Sequence, residues 1–255
     1  MNNLRVTFIG SGNVATHLAH SFYDAGIDIM QIYSRKISNA KKLASKVKAN
    51  AVSDLKKLSP QTDVIIIAVN DDAIASVAGK IKLKEGIVLH TSGSVPMNVL
   101  KKFDQFGVIY PLQTFSADRK MHMSDVPFCI EGNDESTLFS ISNIASAVSE
   151  FVYALDSDQR AVAHLSAVFA NNFSNHLFGI ADELLKKNEL PFDLIRPLIL
   201  ETAMKVLDNS PAESQTGPAK RKDKKVIGKH LLLLKKYSTY KKIYSDLTND
   251  IAKRK

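Results

Sequence analysis

The chain of 255 residues carries 34 Lys and Arg against 26 Asp and Glu, a formal net charge of +8, with 45% hydrophobic and 24% charged residues. That balance excludes disordered and fibrous chains. The longest unbroken apolar run, Val64 to Val69, falls far short of the ~20 residues a membrane helix needs. The single cysteine, Cys129, excludes an intrachain disulfide and a multi-cysteine metal site, and no metal site is expected. No apolar leader precedes the first strand, so a cytoplasmic location with no membrane partner is expected. The charge is local. Residues 213–255 hold 13 basic but only 4 acidic residues, which leaves the first 212 nearly neutral. A basic end reads either as a nucleic-acid arm or as a solvated lysine-rich helical face.

Along the chain, Leu4 to Ile9 reads as a buried strand that runs into a glycine loop. Val14, Leu18 and Phe22 then recur at helical spacing, and Gly26 stops that helix. Asp28 to Tyr33 is a second strand, and Ser38 is placed to cap a lysine-rich helix reaching about Lys46. Asp63 to Val69 is apolar on both faces, as a central parallel strand must be. Further strands are expected at 87–90, 108–110, 127–131 and 151–155, with helices near 71–80, 96–103 and 134–149. Strand, helix, strand in series predicts parallel pairing through right-handed crossovers. The fold class is α/β: a Rossmann-type doubly wound, mostly parallel sheet.

After Asp156 helical patterns take over. Asp158 is placed to cap a helix from Gln159 to about Lys187 that is apolar nearly all round, with Val162, Leu165, Phe169, Phe173 and Leu177 among its residues. Such a helix must be buried, so a partner subunit is expected. Helices fit 192–208, 222–236 and 238–253, with breaks at Asn209-Ser210-Pro211 and Thr216-Gly217-Pro218. The expected domains are 1–156, binding NAD(P), and 157–255, all-helical and serving dimerisation and substrate binding.

The strongest motif is Gly10-Ser11-Gly12-Asn13-Val14-Ala15, a G-x-G-x-x-A fingerprint between the first strand and its helix. Gly10 allows the tight turn, Gly12 admits a pyrophosphate to the backbone, and Ala15 keeps the helix close. The second strand ends in Tyr33-Ser34-Arg35-Lys36 rather than in the acid that bonds a ribose 2′-hydroxyl. Ser34 and the forked guanidinium of Arg35 suit a 2′-phosphate, so NADP is favoured over NAD. Val69, Asn70 and Ser92 lie at strand ends where the cofactor would pass. Asn70 or Asp71 also suits a helix cap. His90 reads as a structural histidine rather than a catalytic one. On the long helix, His164 shares a face with Asn171 or Asn172, and Asn172 with His176. On so apolar a helix they line either a ligand cavity or a hydrogen-bonded interface.

The segments GSGNVATHLA, HTSGS, YPLQTF, HLSAVFANNFSNHL and QTGPAKRKD, in this order, resemble the NADP oxidoreductase family that joins a Rossmann part to a C-terminal domain of unknown function (DUF2520-type). More distantly the chain is similar to pyrroline-carboxylate reductase, prephenate dehydrogenase and the 3-hydroxyacid dehydrogenases. The resemblance implies a 6-phosphogluconate-dehydrogenase-like helical domain that forms a homodimer and closes over the nicotinamide. It also implies that the 215–223 loop reaches an active site, where Arg221 could hold a substrate carboxylate.

Two departures stand out. Ala167 and Val168 lie where the hydroxyacid dehydrogenases carry a lysine four residues before the asparagine, and Tyr110 stands where relatives commonly carry histidine. Both departures favour the sensing alternative named below; from the cofactor motif and the resemblance, the expected function is reduction or oxidation of a small anionic carbonyl or imine compound with NADP(H). Asn171, Asn172, His164 and Arg221 are its candidate catalytic residues. The alternative is a dinucleotide-sensing dimer whose cleft has lost its acid-base groups. A nucleic-acid arm is disfavoured, because Tyr237, Tyr240 and Tyr244, at spacings of three and four, fit a helix face packed on the body.

Overall fold

The computed structural model describes residues 4–116 and 121–254. The chain forms two compact units that divide between Asn172 and Phe173. The first unit is an eight-stranded sheet in the order β3-β2-β1-β4-β5-β6-β7-β8. Its strands are β1 (Arg5–Ile9), β2 (Asp28–Tyr33), β3 (Asn50–Val52), β4 (Val64–Ile67), β5 (Ile87–His90), β6 (Gln105–Pro111), β7 (Phe128–Gly132) and β8 (Val152–Ala154). Chain order reverses between β1 and β4, which puts a crevice at their C-terminal ends, the usual ligand position in such sheets.

Side-chain alternation builds both faces of the sheet. Val6 and Phe8 pack with α1 (Asn13–Asp24), α2 (Ile37–Ala44) and α4 (Glu135–Ser146). Ile9, Ile65 and Ile67 pack with α3 (Asp71–Lys80) on the other side. Each fully buried side chain of this size contributes roughly 1.5–3 kcal/mol.

Several expectations are corrected. Strand β7 runs antiparallel to β6. The described residues between them hold only the single turn Met123–Asp125, too short for a crossover helix, so the chain returns in the opposite direction. The short β3 carried no readable apolar run. The helix expected near 96–103 is a single 3₁₀ turn, Met97–Leu100. Helix α2 starts after Lys36 with no side-chain cap, so Ser38 lies within its first turn.

The long helix is also different. It begins as α5 (Ser157–Ala167), capped by Asp156 in a reciprocal box with Gln159, rather than by Asp158. A π-helical segment, Val168–Phe173, follows, and α6 (Ser174–Lys186) continues from it. Val162, Leu165 and Phe169 are 64%, 55% and 62% exposed, so the expectation of burial fails within one chain. The residue of α5 that is buried is the charged one, Arg160. The first unit extends 16 residues past the 156/157 boundary expected from the sequence, since α5 and most of the π-helical turn belong to it.

The second unit holds α6, α7 (Arg196–Asp208), α8 (Pro211–Ser214), α9 (Lys224–Leu233) and α10 (Ser238–Lys253). Its tyrosines are spent on internal packing. The Tyr240 hydroxyl donates to Glu183, Tyr237 stacks on Tyr240 at 5.8 Å, Lys187 lies 4.6 Å over the Tyr237 ring, and the Tyr244 hydroxyl lies 2.8 Å from His230 Nδ1. No helix among the described residues is long and apolar enough to cross a membrane.

Candidate active site

A cleft of about 1350 Å³ opens at the C-terminal ends of β1, β4, β5 and β6, and first-unit residues alone line it. That exceeds the volume typical of a pocket for one drug-sized ligand. The glycine loop forms one wall. Gly10 sits at φ +127°, and a Cβ there would lie 2.0 Å from the Ala68 carbonyl oxygen. Only glycine fits. At Gly12, by contrast, nothing lies within 4 Å of such a Cβ, so the space before the α1 N-terminus is open.

Helix α1 has no side-chain cap and no acid in its first turn, which leaves its leading N–H groups available to an anion. Gly10, Ser11, Gly12 and Val14 line the cleft at this end. Asn13 does too, but its side chain donates to the Phe115 carbonyl at 2.9 Å. His17 Nε2, one turn on, lies 3.1 Å from the Ser116 carbonyl. The Leu112–Ser116 segment is thereby tied down on α1. The bare N-terminus and the glycine cradle fit the pyrophosphate of a dinucleotide.

Ser34 and Arg35 line the cleft beyond the end of β2. Arg35 is exposed and takes part in none of the ion pairs found among the described residues. Val69 and Asn70 lie at the end of β4. Asn70 holds the N-cap position of α3 by its backbone only, and its side chain makes no capping bond. Asp71 is committed elsewhere, accepting from the Ser94 hydroxyl at 2.6 Å. Ser92 also lines the cleft, yet its hydroxyl organises its own loop, accepting from the N–H groups of Ser94 and Val95.

At the far end the sheet meets α5. The Tyr110 hydroxyl, at the end of β6, lies 2.9 Å from His164 Nδ1. The two rings meet edge-on at 5.8 Å. Gly93 makes this possible, since a Cβ there would come within 2.7 Å of Tyr110 Cζ and 2.9 Å of His164 Nδ1. Burial pushes the Tyr110 phenol up to about 12, with Cys129 and then Asp71 adding to the shift. It stays protonated across the ordinary pH range, a hydrogen-bond donor and not a base. Asn171 and Asn172 line the same cleft from the π-helical segment, a distortion that often marks functional sites.

His90 is only half satisfied, since its buried Nε2 has no hydrogen-bond partner among the described residues. It is fully buried, and its Nδ1 accepts the Ser92 N–H at 3.2 Å, which puts the ring proton on Nε2. Burial foremost, then the nearby Arg160 charge, lowers its pKa to about 4. Arg221 belongs to the second unit, where it is exposed. His176, also in the second unit, is exposed as well. The Tyr110–His164 pair and the Asp71–Ser94 bond were missed from sequence, being 54 and 23 residues apart.

Two family models match the chain. Residues 5–92 match the family described as coenzyme F420-dependent NADP oxidoreductase, and residues 126–251 match the domain of unknown function DUF2520. A Bacteroides fragilis protein described as a putative NADP oxidoreductase is 42% identical, with 99% of each chain covered and a TM-score of 0.93. The Thermotoga maritima protein TM1727 is 24% identical over 96% of each chain, at a TM-score of 0.75. An imine reductase from Myxococcus stipitatus, solved with NADP+, shares the fold at 12% identity and a TM-score of 0.65, covering 97% of this chain and 92% of its own. No curated protein matches. With that degree of identity across its whole length, the chain belongs to the family of NADP oxidoreductases that join a Rossmann-type N-terminal part to a C-terminal DUF2520 domain.

Proposed function

We propose that the protein uses NADP(H) to reduce a small anionic imine or carbonyl compound, with Tyr110 and His164 as the proton-donating pair. The observation that carries this reading is the hydrogen-bonded Tyr110–His164 pair lining the same cleft as the glycine loop. NADPH bound there supplies the hydride. Gly10 and Gly12 admit the pyrophosphate to the α1 N-terminus, and Ser34 and Arg35 hold the 2′-phosphate that sets NADP above NAD. The Tyr110 O–H, kept protonated, donates toward the substrate nitrogen or oxygen as charge develops there. His164 Nδ1–H donates to the phenolic oxygen meanwhile, and passes its proton to the phenolate as Nε2 takes one up from solvent. Asn171 and Asn172 orient the substrate by hydrogen bonds. The role of Arg221 toward a substrate carboxylate rests on the family resemblance and is part of the proposal.

The rival reading is a dinucleotide-sensing dimer without acid-base groups; the hydrogen-bonded Tyr110–His164 pair lining the cleft supports turnover over it. A homodimer through the C-terminal helices is also proposed, since Val162 and Leu165 leave apolar surface exposed on α5 in a single chain. Light scattering at micromolar concentration tests the dimer. Titration of NADPH and NADH fluorescence, with and without Arg35→Ala, tests the cofactor. NADPH is expected to bind more tightly and to lose more in the variant; equal binding of both before and after the substitution overturns the NADP assignment. Absorbance at 340 nm with 1-pyrroline-2-carboxylate as probe tests the reaction.

A further inference from the structure

Under the candidate site lies a buried charged cluster that the proposed chemistry does not touch. The Arg160 side chain is 1% exposed and pairs with Glu131 on β7, itself 11% exposed. The guanidinium also donates to the Val95 carbonyl at 2.7 Å. The Ser157 hydroxyl donates to Glu131 Oε2 at 2.9 Å and accepts from the Met97 N–H at 3.2 Å. Three separate pieces of chain thus meet at one ion pair: β7, the 92–97 loop after β5, and the first turn of α5.

Each of these pieces leads to the Tyr110–His164 contact. Strand β7 pairs with β6 so that Cys129 lies opposite Tyr110, two residues before Glu131. The 92–97 loop carries Gly93, over which the two rings converge. Helix α5 carries His164 one turn after Arg160, on the same face. The Asp156–Gln159 cap does not hold α5 to the sheet, because it is internal to the helix. Its outward residues are exposed, so apolar packing does little to fix its rotation.

A buried pair of this kind is a costly way to gain stability, because well-packed apolar residues usually do as well. Its directional hydrogen bonds instead fix one angle and one depth for the helix. We infer that Arg160, held by Glu131 and Ser157, is a positioning residue that sets the rotation of α5 and so presents His164 Nδ1 to the Tyr110 hydroxyl. This rests on the reading of Tyr110 and His164 as the proton-donating pair, and it predicts that the ion pair is dispensable for folding but not for that contact.

The test uses the full-length protein labelled with ¹⁵N-histidine, in which the ring-nitrogen signals report tautomer and hydrogen bonding. His164→Gln identifies the His164 signals, and Tyr110→Phe gives their shift when the contact is lost. The double variant Glu131→Leu/Arg160→Met replaces the ion pair with apolar groups of similar size. It is expected to keep the melting temperature within a few degrees and NADPH affinity within about twofold, while His164 shifts as it does in Tyr110→Phe. Turnover of 1-pyrroline-2-carboxylate should fall about 100-fold, the loss expected of a misplacement near 1 Å. Arg160→Lys, which keeps the buried charge paired but loses the forked guanidinium that also holds the Val95 carbonyl, serves if the double variant does not fold, and should shift His164 in the same direction.

Unshifted His164 signals in a folded variant overturn the positioning role. So does a double variant that regains full turnover together with full stability. Failure of the underlying reading looks different: His164 shifts as described, yet Tyr110→Phe leaves turnover unchanged.

Discussion

The Tyr110 hydroxyl and His164 Nδ1 are 2.9 Å apart although 54 residues separate them. One stands at the C-terminal end of β6 and the other on the helix that leaves the sheet, so the contact closes the nicotinamide end of the proposed cofactor cleft. A phenol pushed up to about 12 is a poor base but a dependable donor at neutral pH. At neutral pH the resting pair therefore carries the proton that a substrate gains on reduction.

Tyr110→Phe removes the donor and little else. Turnover should fall ~10²–10⁴-fold, the usual range for a positioned acid. Stability should change by only about 1 kcal/mol, the net value of one hydrogen bond. Steady-state kinetics and thermal melts on one preparation check both numbers.

Gly93→Ala tests the same contact from below. A methyl group there meets Tyr110 Cζ at 2.7 Å and His164 Nδ1 at 2.9 Å, so the rings must move apart. Overpacking costs about 1–3 kcal/mol. The expected outcome is a folded protein with NADPH affinity near the parent's and turnover reduced at least tenfold, checked by fluorescence titration and 340 nm assays.

The two loop glycines should behave in opposite ways. Gly10→Ala drives a Cβ to 2.0 Å from a backbone oxygen at φ +127°, and should unfold the protein or lower its melting temperature sharply. Gly12→Asp points into open space and should melt like the parent, but its carboxylate faces the pyrophosphate position. NADPH binding should weaken by more than ~1.4 kcal/mol, a factor of ten. Differential scanning fluorimetry with and without NADPH distinguishes the two.

His90 gives the fold an acid limit. Its pKa falls from 6.5 to about 4 on folding, so between those values the unfolded chain binds the extra proton. Stability is fully present above pH 6.5 and declines as pH falls toward 4, by roughly 3 kcal/mol at most. In His90→Asn, whose amide oxygen can accept the Ser92 N–H, melting temperature should vary less between pH 7 and 4.5. An unchanged slope would mean that other groups control acid unfolding.

Local chemistry made the cofactor half readable. The glycine loop, the missing acid after β2 and the apolar run of β4 each carry their meaning within a few residues. The longer helices of the second unit were also legible from their periodicity, whereas the single-turn α8 was read as a break. What escaped depends on contacts distant in sequence. Nothing near Tyr110 announces His164, and nothing near Arg160 announces Glu131, 29 residues earlier. The direction of β7 depended on a connection without a crossover helix. The π-helical segment around Asn171 has no compositional mark. The cap at Asp156, by contrast, was available in the sequence as an Asp-x-x-Gln box.

The central claim is reduction by NADPH with Tyr110 as proton donor. The most direct measurement is NADPH oxidation at 340 nm with 1-pyrroline-2-carboxylate, comparing the parent, Gly12→Asp and Tyr110→Phe. The predicted result is saturable oxidation in the parent, none in Gly12→Asp, and a rate lowered at least ~100-fold in Tyr110→Phe with NADPH affinity unchanged. Oxidation that proceeds undiminished in Tyr110→Phe, or that no imine or carbonyl acid elicits from the parent, would contradict it.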